Sequence, residues 1–234
     1  MHIMSHRTIV AGPEGPLEVH VNGEGPAVVL IPSLGRGASD FSDLAARLAA
    51  GGFSALALEP RGIGASNSRL EGIGMTDLAD DVAAVILALS EEPATVIGHA
   101  FGNRVARMVA TTRPDVVESV VLLACGGFVP PAPEVTADLV SVFDASLDPA
   151  AHLDAIARAF FAPGNDPSAW EGGWHAEAAL AQSAATASTP VEEWWTAGSA
   201  DVLVIQPAAD VVAVPQNAAK IVEMLGERAS LVTI

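Results

Sequence analysis

Gly98-His99-Ala100-Phe101-Gly102 has the types and spacing of a turn built to present a reacting atom, with a methyl group where that atom belongs. Paired glycines let a backbone pass through a cramped strand-to-helix turn, which lifts the middle residue and aims backbone N–H groups at one spot. The flanks fit that role. Ala94-Thr95-Val96-Ile97 reads as a short buried strand, and Phe101 to Arg113 as a helix stopped by Pro114. Serine at the apex would accept an acyl group, whereas alanine offers no such atom.

Other side chains could supply chemistry near this turn, each with a plainer role beside it. His99 adjoins the apex, but neighbours in such a turn point in different directions, so a structural part stands against a base. His175, in Trp174-His175-Ala176, could enter a site or lie on the surface. Cys125 ends a strand near the turn and could attack a substrate, although buried cysteines more commonly pack inertly. Ser33 offers a hydroxyl as a ligand contact or a turn residue. The six histidines show no metal-ligand spacing such as His-Glu-x-x-His, so no metal and no cofactor is expected.

The elements that must hold these residues follow from periodicity. Strand-like runs lie at Arg7–Ala11, Leu17–Asn22, Ala27–Ile31, Ser54–Leu58, Thr95–Gly98, Ser119–Ala124, Val202–Gln206 and Ala229–Ile234. Helical patterns fall between most of them: Asp40–Ala50, Thr76–Ser90 with Thr76 as its cap, and Pro215–Leu225 with proline in its first turn. An early hairpin followed by alternating strand and helix predicts an α/β fold, a mostly parallel central sheet with helices on both faces.

Val129 to Gly198 breaks that rhythm. It holds all four tryptophans, and with Phe128 at its border four of the seven phenylalanines. An insertion of this length after the sixth strand predicts a helical cap, giving a core of residues 1–128 and 199–234 with the cap at 129–198. Its aromatics either fill a small core of their own or line a pocket for an apolar ligand, with Phe128 and Trp174 as contacts in the second case.

Composition narrows the partners. The 234 residues carry a formal charge of −17, which repels nucleic acid and anionic lipid. No apolar run approaches the ~18 residues of a membrane span, and the N-terminal Met-His-Ile-Met-Ser-His-Arg lacks an export signal's apolar stretch. A single cysteine fits a reducing compartment. The expectation is a cytoplasmic protein whose partner is a small apolar or ester-like molecule.

Four motifs in order resemble the α/β-hydrolase fold family with a cap, esterase- or haloperoxidase-like, from about Arg7 onward. They are Ile31-Pro32-Ser33-Leu34-Gly35-Arg36-Gly37, Glu59-Pro60-Arg61-Gly62-Ile63-Gly64-Ala65-Ser66, the Gly98–Gly102 turn, and Val202–Gln206 followed by Pro207-Ala208-Ala209-Asp210. The resemblance implies a nucleophile at position 100, an oxyanion hole from the N–H groups of Leu34 and Phe101, and the triad acid at Asp210. Asp210 could instead cap the turn before Pro215. Departures are Ala100, Pro32-Ser33 for the family's His-Gly, and Glu59 for its aspartate. The family's histidine follows the last strand, and the chain ends within Leu231-Val232-Thr233-Ile234, so that histidine is expected beyond Ile234. Two functions stay open: hydrolysis of an ester-like or related bond, or a non-hydrolytic binding, lyase or cyclase role for the same pocket.

Overall fold

The computed structural model describes residues 5–144 and 146–234. Residues 1–4, which begin the stretch read for an export signal, and Ala145, within the expected cap, lie outside the described residues. The strands are β1 (Ser5–Ala11), β2 (Pro16–Asn22), β3 (Ala27–Ile31), β4 (Ser54–Leu58), β5 (Ala94–His99), β6 (Val117–Leu123), β7 (Asp201–Gln206) and β8 (Ala229–Thr233). They form one sheet in the order β1-β2-β4-β3-β5-β6-β7-β8. β1 pairs antiparallel with β2, and β2 antiparallel with β4; the remaining pairs are parallel.

Helices connect the parallel strands: α1 (Ser42–Ala50), α2 (Met75–Leu89) and α3 (Phe101–Thr112) in the first part, and α4 (Pro133–Val142), α5 (Pro149–Phe160) and α6 (Ala176–Ala187) between β6 and β7. The helix before β8 is α7 (Gln216–Leu225). The period-2 alternation of the central strands sorts their side chains between two layers. Val29, Ile31, Leu56, Leu58 and Val96 pack with α2, α3 and α7. Val28, Leu30, Ala55, Ala57 and Ile97 face α1 through Phe41 and Ala45. On that second side the sheet is barer toward β8, where Leu123 and Ile205 are half-buried and Val232 is 48% exposed.

Several boundaries differ from the sequence reading for local reasons. α2 starts at Met75 and its cap is Gly74, whose N–H donates to the Asp77 carboxylate at 2.7 Å, so Thr76 is not the cap. Pro215 is the cap residue before α7 rather than part of its first turn. The residues before α1 form a tight 3-10 turn, Ala38–Phe41. β6 ends at Leu123 because Ala124 takes φ 56°, which turns the chain out of the strand.

Buried polar groups tie the loop after β4 to the sheet. The Arg61 guanidinium bonds to Asp81 and to Glu14, and the Ser66 hydroxyl donates to the Glu59 carbonyl at 2.6 Å while accepting the Glu18 N–H. Losing one member of such a buried pair leaves an uncompensated charge.

The aromatic-rich insertion divides between two cores. Phe143, Phe160, Phe161, Trp170 and Trp174 pack around Val142, Ala155, Ile156 and Ala159 in a core of their own. Trp194 and Trp195 instead belong to the main core beside α3 and are almost wholly buried.

The tightest crossing joins β3 to the start of α3. A side chain on Gly98 would overlap the Gly102 carbonyl, and one on Gly102 would overlap the Ile31 carbonyl. Backbone atoms offer no rotamer to relieve that overlap. Gly102→Ala is therefore expected to lower unfolding free energy by about 3 kcal/mol in urea titrations.

Candidate active site

Parallel pairing of β3 with β5 sets Ile31 against Gly98, so both strands end at the same edge of the sheet. The loop after β3 and the turn after β5 are then neighbours. Gly102 lies against the Ile31 and Pro32 carbonyls, which brings the start of α3 onto the end of β3. α3 begins at Phe101, so the Phe101 N–H points out of the helix end without an intrahelical acceptor. Among the described residues neither Phe101 N–H nor Leu34 N–H donates to a protein acceptor.

Ala100 occupies φ 49°, ψ −105°, a conformation that glycine adopts freely and alanine does not. Its N–H donates to the Leu123 carbonyl at 3.0 Å, which holds the apex against β6. The strain is of order 1–3 kcal/mol and marks a geometry imposed by the surroundings.

The loop after β3 is also clasped from above. The Gly35 N–H donates to the Gln182 side-chain oxygen at 2.9 Å, and the Gly35 carbonyl accepts the His175 N–H at 2.9 Å. Arg36 grips Asp40 with two bonds at 2.8 and 2.7 Å and donates to the Gly172 carbonyl at 2.7 Å. Its guanidinium carbon lies 4.9 Å from the Trp170 ring and 4.5 Å from that of Trp174. A desolvated cation over two indoles is worth about 2 kcal/mol or more. Leu34 is therefore positioned by a segment whose next two residues are bolted to the cap.

The anticipated site residues separate under this geometry. Ala100 and Phe101 follow β5, and Ser33 and Leu34 follow its neighbour β3, at the same edge of the sheet; Ser33 closes a turn, its carbonyl accepting the Arg36 N–H at 3.1 Å. Asp210 is half-buried after β7, and one carboxylate oxygen accepts the Val212 and Ala213 N–H groups at 2.9 and 2.8 Å. It does cap its turn, and its charge also reaches His99. His175 meets the loop through its backbone, as the residue preceding α6. Trp174 stacks on Arg36 within the cap core, and Phe128 packs on Trp195 with ring centroids 5.1 Å apart while remaining 44% exposed. Cys125 is fully buried, its N–H bonded to the Gln206 side chain, and burial pushes its thiol above the usual range. A thiol enclosed in this way is not open to an entering ligand, in line with inert packing rather than attack on a substrate.

His99 is the one titratable ring beside the apex. Burial lowers its pKa, while the Asp40 and Asp210 carboxylates pull it back and Arg36 opposes them. No hydrogen-bond partner holds the ring among the described residues. Arg36 and Gln182, which set the loop geometry, were not singled out in the sequence, because nothing local marks a side chain whose partners lie more than a hundred residues away.

Fold order, glycine-bounded apex and free donor pair together define the class: the chain belongs to the α/β hydrolase fold family, whose profile matches residues 26–162. A stretch of 107 residues, 46% of this chain, is 33% identical to 2-(acetamidomethylene)succinate hydrolase of Mesorhizobium japonicum and spans only 38% of that protein. The crystal structure of E-2-(acetamidomethylene)succinate hydrolase superposes on the whole chain and 91% of its own, with TM-score 0.77 and 25% identity. An esterase from Exiguobacterium antarcticum shares the fold at TM-score 0.81 and 17% identity, over 97% of this chain and 90% of its own.

Two outcomes follow. Ala100→Gly should raise unfolding free energy by about 1 kcal/mol, because relief of the strained φ exceeds the added freedom of the unfolded chain. His99 has a folded pKa below the ordinary 6.5, so the unfolded chain binds more protons at mildly acid pH. Its contribution to stability is full above that value and is lost as pH falls through the folded pKa. His99→Gln should flatten the decline of melting temperature between about pH 7.5 and pH 5.

Proposed function

We propose that this protein holds a small, largely apolar carbonyl compound, ester-like or related, at a hydrolase elbow that lacks the covalent nucleophile. The observation that carries the proposal is Ala100 held in the strained apex conformation while the adjoining Phe101 and Leu34 N–H groups stay without protein acceptors. Two such donors match the two lone pairs of a carbonyl oxygen or oxyanion, and being main-chain atoms they do not depend on the side chain at position 100. The names of the similar proteins, a succinate-derivative hydrolase and an esterase, agree with a carbonyl substrate class.

Without a hydroxyl at position 100 no acyl-enzyme can form there. Hydrolysis by this chain would require water as the attacking group, with a base to take its proton. The field on His99 favours a second reading in the same pocket: a half-buried imidazole kept neutral by burial, flanked by Asp40 and Asp210, suits proton transfer without covalent catalysis. A site of this kind serves a lyase, a cyclase or a binding protein as readily as a hydrolase. A cytoplasmic location remains part of the proposal; in the described residues no helix is long and apolar enough to cross a membrane.

The test compares the protein with its Ala100→Ser variant, using p-nitrophenyl acetate, its non-hydrolysable ketone analogue and a serine-reactive fluorophosphonate. The expected result is reversible ketone binding by both proteins and labelling of the serine variant alone, which makes the pocket a hydrolase site without its nucleophile. Binding by both with labelling of neither assigns the non-hydrolytic reading. Labelling of the Ala100 protein, or failure of both to bind, overturns the carbonyl site.

A further inference from the structure

Eight of the eleven basic side chains have a carboxylate within ion-pair distance. Arg104 and Arg107, one turn apart on α3 just below the apex, have none among the described residues. In a chain of charge −17 with twenty-eight acidic residues, such neglect of two neighbouring cations is unexpected on statistical grounds alone. Arg107 is wholly buried. It donates to the Asn103 carbonyl and side-chain oxygen and to the Gly126 carbonyl, all neutral acceptors. Burial pushes its pKa down to about 10, which still leaves it charged at neutral pH. Cys125 supplies no counter-charge, since burial holds its thiol protonated.

The same cluster contains four buried donors without an acceptor: Arg104 Nε, Arg107 Nη1, Trp194 Nε1 and Trp195 Nε1. Their groups are mutual neighbours. The Arg107 guanidinium carbon lies 4.7 Å from the Trp194 ring centre and 4.5 Å from that of Trp195, Arg104 lies 6.0 Å from Trp194, and the two indoles are 6.1 Å apart. Buried donors nearly always find partners, and a buried cation with none is costly. All four are donors, and among the described residues no buried side-chain acceptor beside them is left unpaired, so water, which both donates and accepts, answers only part of the need. A carboxylate is acceptor-only, with about four lone-pair sites on two oxygens, and bears the missing charge.

We propose that Arg104, Arg107, Trp194 and Trp195 form a binding site for a small carboxylate, lying between α3 and the segment that leads from the cap into β7. The carboxylate comes either as a free ion or as one end of a ligand whose carbonyl sits at the Phe101 and Leu34 N–H groups. In the second case the site rests on the carbonyl-binding reading above and narrows it to anionic substrates; in the first it stands alone.

Indole N–H signals in a nitrogen–proton NMR spectrum test this directly. Acetate, titrated at constant ionic strength, should shift the Trp194 and Trp195 signals saturably. Trp174, whose indole N–H already donates to the Trp170 carbonyl at 2.6 Å, should stay in place as the internal control. Trp195→Phe and Trp194→Phe keep an aromatic ring and remove one donor, and Arg104→Gln removes a charge; each should weaken acetate binding about tenfold. A short dicarboxylic half-ester that binds more tightly than acetate, with no response to the neutral diester at these two signals, marks the carboxylate as the ligand's own. Equal affinities for half-ester and acetate mark a separate ion. Signals that do not move, that move with Trp174 in an unsaturable way, or whose acetate affinity in all three variants equals that of the unsubstituted protein overturn the site.

Discussion

The crossing of the turn after β5 over the end of β3 governs the rest of the molecule. With no Cβ at Gly98 or Gly102, backbone packs directly on backbone, and the chain has one way through. That passage forces Ala100 into a conformation it disfavours, starts α3 at Phe101 and leaves an outward N–H beside the loop that carries Leu34. The donor pair is thus a consequence of sterics at the sheet edge. It does not depend on the side chain at position 100, because no side chain builds it.

Cations connect this edge to the cap. Arg36 joins the loop after β3 to Asp40 and to Gly172, Trp170 and Trp174, so the position of that loop and the seating of the insertion between β6 and β7 are one arrangement. Arg107 likewise lies over two indoles, those of Trp194 and Trp195, where the chain runs from the insertion into β7. The two clusters differ in one respect: Arg36 has its carboxylate and Arg107 does not. An arginine beside paired indoles thus marks both the insertion and the segment that follows it into β7, and among the described residues only Arg36 has a carboxylate partner.

The alanine gives the site its character. The strained apex keeps the backbone geometry of the turn while its side chain offers no atom for covalent attack. The surrounding charges do not make up for the missing atom. Burial keeps His99 neutral, and Asp210 spends one oxygen on its own turn. What persists is a preorganised field at the end of a parallel sheet, the place where this architecture collects ligands.

The sequence alone determined the order of strands and helices, the glycine-bounded turn, the loop with Leu34 and the loop with Asp210, because each depends on local periodicity or on backbone conformations that few residues tolerate. Helix starts moved by a residue where a side chain such as Asp77 found a backbone N–H that propensity does not foresee. Only the tertiary structure decided how the tryptophans divide, with Trp170 and Trp174 serving the cap and Trp194 and Trp195 the main core, since identical side chains carry no address of their own. It likewise decided that Cys125 is sealed, that Gln182 and Arg36 hold the loop after β3, and that Arg104 and Arg107 meet no carboxylate among the described residues. Those outcomes rest on contacts between residues distant in the chain, where burial and pairing are properties of the packed whole.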